Sequence, residues 1–165
     1  GFYRTEDAER ALAEHLESVI TLWPYIAVVD AFQHWVYDHP EQARVPESCD
    51  TEWESLWRRF MPGIDYSGFE ETLRTGWQRK LHIHQIPFYY IEYGMAQLAS
   101  VQLWKNSLED PGGALASYRN ALSLGGTASL PDLYAAAGAR FRFDRPDLKE
   151  AVDLVMGTLR EAGAV

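Results

Sequence analysis

Apolar residues recur three or four positions apart along almost all of this 165-residue chain, and prolines and glycines cut that pattern into helix-length pieces. No stretch alternates apolar with polar long enough to make a strand, so the spacing predicts an all-α protein. Leu12, Leu16, Val19, Trp23, Ile26 and Val29 step along one face between Glu6 and about Asp38. Pro24 falls inside that run, which is therefore one bent helix or two. A loop from His39 to Pro46 precedes a helix carrying Trp53, Leu56, Trp57 and Phe60, which stops at Met61-Pro62-Gly63. Ser67-Gly68-Phe69-Glu70 spells a capping box, opening a helix to about Thr75.

Pro87 suits a first helical turn, where its missing N–H has no partner to lose, and the longest helix is expected from there to about Leu108. Asp110-Pro111 opens the next and Gly125-Gly126 ends it; Leu130-Pro131 opens a short one closed by Gly138; Asp144 with Pro146 opens the last. The expected total is seven or eight helices. Short linkers, with no low-complexity tract or shift in composition, predict a single helical domain over residues 1–165.

Composition narrows the function. Fifteen basic against 24 acidic residues give a formal charge of -9, which disfavours nucleic acid as a partner. The richest apolar run, Ile86 to Trp104, is interrupted by Glu92, Gln97 and Gln102 and falls short of the ~18 uninterrupted apolar residues of a membrane span. A lone cysteine, Cys49, with no leader-like N-terminus makes the cytoplasm the expected compartment. Cys49 lies in Glu-Ser-Cys-Asp, where neighbouring acids raise a thiol pKa and argue against a nucleophile.

No H-E-x-x-H, G-x-S-x-G, phosphate loop or dinucleotide fingerprint occurs. His34 and His39 are five apart, and His82 and His84 two apart, which on a helix points them about 200° apart. Neither pair makes a metal face, so no zinc is expected within this chain. The informative stretch is residues 77–98, in which His82 and His84 precede Pro87-Phe88-Tyr89-Tyr90-Ile91-Glu92-Tyr93-Gly94. Tyr90 and Tyr93 fall one helical turn apart, with Tyr89 beside Tyr93. An aromatic core stripe is the plain reading of such spacing. Glu92 in the midst of the phenols, and imidazoles just before them, favour hydrogen-bond donors to an oxyanion instead.

The run from His82 to Leu98 resembles the C-terminal active-site segment of the oligoendopeptidase F branch of the thimet-oligopeptidase-like zinc metallopeptidases. Val29-Asp30-Ala31-Phe32-Gln33-His34-Trp35, Trp77-Gln78-Arg79, Leu124-Gly125-Gly126-Thr127 and Leu130-Pro131-Asp132-Leu133 are similar to that family too. The resemblance implies that His82, Tyr90 and Tyr93 are catalytic, contacting substrate and tetrahedral intermediate opposite the zinc. It implies Tyr89 and His84 as further substrate-binding positions. For the intact enzyme the resemblance implies hydrolysis of a peptide bond by a zinc-bound water, with a glutamate as general base. That glutamate and the H-E-x-x-H helix are absent here, so the chain is expected to be the C-terminal part of a larger helical metallopeptidase, with Gly1 an artificial or proteolytic start. Taken alone it is expected to be inactive, to bind no zinc and to self-associate through an exposed apolar face. Its partners would be an oligopeptide substrate and the missing N-terminal part of the same enzyme.

A reading of another class is an all-α interaction scaffold. Residues 114–122 resemble the second helix of a tetratricopeptide repeat, but the pattern occurs once, and about three units are needed to bury their faces.

Overall fold

Nine α-helices and two short 3-10 turns, with no strand, build the residues that the computed structural model describes, 3–164. The all-α expectation holds, with helices beyond the seven or eight expected. The first helix, α1 (Thr5–Asp38), runs unbroken through Pro24. The two extra helices are single turns lying in segments expected to be loops: α2 (Pro40–Ala43), begun by a proline at its first position, and α5 (Leu81–Gln85). Between them lie α3 (Pro46–Phe60) and α4 (Glu70–Arg74). After them come α6 (Ile91–Glu109), α7 (Pro111–Leu124), α8 (Leu130–Ala137) and α9 (Arg145–Glu161). The Gly1 position lies outside the described residues. No helix described is long and apolar enough to cross a membrane.

Where a boundary rests on a local cap, the sequence rule and the structure agree. The Asp110 side chain accepts from Gly113 N, Ser129 from Asp132 N and Asp144 from Asp147 N, each satisfying an amide that has no partner within its helix. Gly138 ends α8 in the left-handed conformation at φ 83°, which a side chain would strain. The capping box at Ser67 does not form. Its hydroxyl donates to Asp65 Oδ1 instead, Glu70 accepts from Gly68 N, and α4 starts behind Phe69 with no side-chain cap. The long helix also starts later than Pro87, because Phe88 takes a left-handed φ of 61° that helical backbone excludes.

Within the single domain expected from sequence, packing divides the chain into two compact units. One comprises the segments before Thr21 and after Gly94. Its buried residues include Leu16, Val19, Leu98, Val101, Val155 and Leu159. Gln102 of α6 receives the Arg140 amide and donates back to its carbonyl, and Asn106 donates to Gly138 O. Arg140 bridges Asp147 and Glu150, Lys105 also reaches Glu150, and Arg142 reaches Asp144 and Asp147. Residues 114–122 lie in α7, which packs along α8 beside an apolar cavity of 340 Å³. Leu115, Tyr118, Leu122 and Leu130 are exposed.

The other unit, Thr21–Gly94, holds the candidate site. Its core joins Val28, Val29 and Phe32 of α1 to Cys49, Trp53 and Leu56 of α3. Phe32 meets Trp53 edge-on at 5.3 Å between ring centroids, an arrangement that puts a ring's positive edge on its neighbour's negative face. Trp77 Nε1 donates to Asp50 Oδ1 at 2.7 Å and ties the 3-10 turn Gly76–Arg79 to α3. That turn leads directly into α5 and the histidines.

Candidate functional site

A helix turn sorts the two histidines. His82 and His84 lie two residues apart on α5, and their rings meet different neighbours: His84 is exposed beside Trp77 at 5.9 Å, while half-buried His82 meets three tyrosines. The His82 ring stacks parallel to Tyr89 at 6.1 Å and stands edge-on to Tyr90 at 5.0 Å and to Tyr93 at 5.8 Å. Tyr93 in turn meets Tyr89 at 5.5 Å and Tyr90 at 5.4 Å. The four rings form one cluster that leaves His84 out.

The chain reversal between α5 and α6 makes the cluster. Phe88, at φ 61°, is gripped by His34 and Tyr37 of α1, each ring 5.0 Å away, so packing holds a conformation that costs a side-chain-bearing residue roughly 1–2 kcal/mol. Tyr89 N donates to Ile86 O, then Glu92 N to Tyr89 O and Tyr93 N to Tyr90 O, as the turn runs into α6. Tyr90 is further backed by Tyr25 of α1, edge-on at 5.7 Å. Sequence reasoning missed Tyr25, because no local spacing links it to residues so far along the chain.

Exposure argues against a simple core stripe. Tyr93 is 43% and Tyr89 38% exposed, leaving their phenols facing solvent, while Tyr90 is half-buried. The Tyr93 phenol, followed by the Glu92 carboxylate, pushes the Tyr89 hydroxyl above its ordinary value of 10.0. Burial, followed by Tyr93, does the same to Tyr90. Both hydroxyls keep their protons at neutral pH and can donate to an anionic oxygen.

Among the described residues no group of three or more His, Cys, Asp or Glu side chains converges to hold a metal ion. His34 pairs with Asp30 at 3.6 Å, and His39 Nδ1 lies against Trp35 O. Cys49 is buried, and burial, aided by Asp50, pushes its thiol up, which makes it a poor nucleophile.

The sequence matches the family model described as peptidase family M3 over residues 2–153, and the chain belongs to that family. A metallopeptidase role, with peptides as the substrate class, follows from that membership. The match spans α7 and α8 together, so their pairing belongs to a peptidase rather than to a repeat scaffold. No curated protein and no solved structure matches the chain.

Proposed function

We propose that this chain is the C-terminal segment of a zinc-dependent oligoendopeptidase of the oligoendopeptidase F type, supplying the substrate-binding and oxyanion-stabilising wall of its active site. The observation that carries the reading is the contact of His82 with Tyr89, Tyr90 and Tyr93 at 5.0–6.1 Å between ring centroids, with the phenols partly exposed. The described residues do not fit a zinc site, so the metal and its ligands belong to other residues of the enzyme, which are then this chain's partner. What zinc supplies when bound is Lewis acidity toward the scissile carbonyl and a nucleophilic water.

The chain's own residues act on the substrate's oxygen. Tyr90 and Tyr93 donate hydrogen bonds to the carbonyl oxygen as negative charge builds on it. His82, fixed by three ring contacts, orients the phenols and meets the peptide, while Tyr89 lines its path. His84 serves as an outer substrate contact. The segment alone is inactive in this reading.

Binding of two ligands tests the assignment in the metal-loaded peptidase that includes this chain. A phosphinic peptide, whose anionic oxygen mimics the tetrahedral intermediate, should lose about a hundredfold in affinity on Tyr93→Phe. The matching ground-state peptide should lose little. Equal losses for both ligands would assign Tyr93 to general substrate binding.

A further inference from the structure

Trp53 and Trp57 stand one turn apart on α3 with ring centroids 5.9 Å apart, and both indole N–H groups are buried without an acceptor. An indole N–H can only donate, and a buried donor left unpaired is costly, so two together ask for a shared acceptor. Both rings line a cavity of 30 Å³ with Tyr66, Thr72, Arg79 and Lys80. A Cβ on Gly76, in the wall of the same cavity, would come within 2.9 Å of Trp53 Nε1, so the donor edge of that ring lies beside a residue of the cavity wall.

The lining has hydroxyls, indoles and two cations, and no carboxylate. Among the described residues neither Arg79 nor Lys80 forms an ion pair with an acid, although the chain as a whole carries a formal charge of -9. Lys80 is half-buried and lies over the Tyr25 ring at 4.5 Å, and burial lowers its pKa. A cavity of this size has room for a water molecule or a small ion.

We propose that this cavity is a binding site for a small monovalent anion such as chloride, which accepts from the Trp53 and Trp57 indole N–H groups and sits beside the half-buried Lys80, with the exposed Arg79 at its rim. The proposal does not depend on the peptidase reading.

The test is the thermal unfolding midpoint of the protein at fixed pH and ionic strength as sodium gluconate is replaced stepwise by sodium bromide. A ligand that binds only the folded state raises the midpoint with saturable dependence on its concentration. That rise is expected in the unaltered protein. It should be lost or strongly weakened in Trp57→Phe, which keeps a ring but deletes a donor, and in Lys80→Met, which keeps the stem but deletes the charge. Lys80→Met decides the matter alone if Trp57→Phe does not fold. No saturable rise in the unaltered protein, as expected if water fills the cavity, would overturn the proposal, and so would an equal rise in the variants, which marks surface screening.

Discussion

His82 and Tyr90 meet edge to face at 5.0 Å across a chain reversal in which Phe88 adopts a left-handed backbone. Two neighbours on α1, His34 and Tyr37, pin the Phe88 ring, so the register of the tyrosines on the imidazole is set from outside the segment that carries them. Replacing Phe88 with leucine keeps part of that grip, whereas valine cannot take the left-handed conformation without a severe clash. Phe88→Val should therefore be less stable than Phe88→Leu by roughly 1–2 kcal/mol in denaturant titrations. Equal stabilities would mean that the turn is not held in this conformation.

The two histidines should behave differently despite lying two residues apart. His82→Ala removes the ring that touches Tyr89, Tyr90 and Tyr93, and turnover of the metal-loaded peptidase should fall. His84→Phe alters an exposed ring beside Trp77 and should leave turnover within a few-fold. The reverse pattern in steady-state rates would move the functional position from His82 to His84.

Helix boundaries at Asp110, Leu130-Pro131, Gly138 and Asp144 were legible in the sequence because caps are decided within a few residues. The start of α6 was not. Pro87 is as acceptable at a helix start as in a turn, and the choice falls to Phe88, whose conformation depends on His34 and Tyr37 far away in sequence. Ser67 and Glu70 had the capping residues, yet Asp65 lies close enough to take the serine hydroxyl. The candidate site was legible as a list of residues with chemistry. That His82 rather than His84 meets the phenols follows from the short helix α5, which runs through what the sequence suggested was a loop.

Gly76 is a packing requirement of the same unit. Alanine there would press a Cβ to 2.9 Å from Trp53 Nε1, on a ring held rigidly in the core. Gly76→Ala should cost about 1–3 kcal/mol in urea unfolding. A neutral substitution would show that the 3-10 turn shifts freely.

Acid should weaken the ion network of the other unit. Hydrogen bonds from Lys105 and then Arg140 hold the Glu150 carboxyl below its ordinary value of 4.5, and hydrogen bonds from Arg142 and then the Asp147 amide hold Asp144 below 3.8. Folded-state values below the unfolded ones mean that this stabilisation is complete above the unfolded pKa. It disappears as pH falls through the folded pKa. Unfolding free energy should therefore decline as pH drops below about 4.5, and Glu150→Gln should flatten part of that decline. An unchanged pH profile in the variant would remove Glu150 from the acid response.

The central claim is that the phenols donate to a developing oxyanion rather than merely pack. Tyr90→Phe keeps the ring against Tyr25, His82 and Tyr93 and removes only the hydroxyl, so it separates the two roles. The measurement is kcat for peptide hydrolysis by the metal-loaded peptidase carrying Tyr90→Phe, beside its unfolding free energy. The account predicts a kcat lower by roughly a hundredfold or more with stability nearly unchanged. Full activity in Tyr90→Phe, with loss only when Tyr90→Ala opens a cavity, would contradict it.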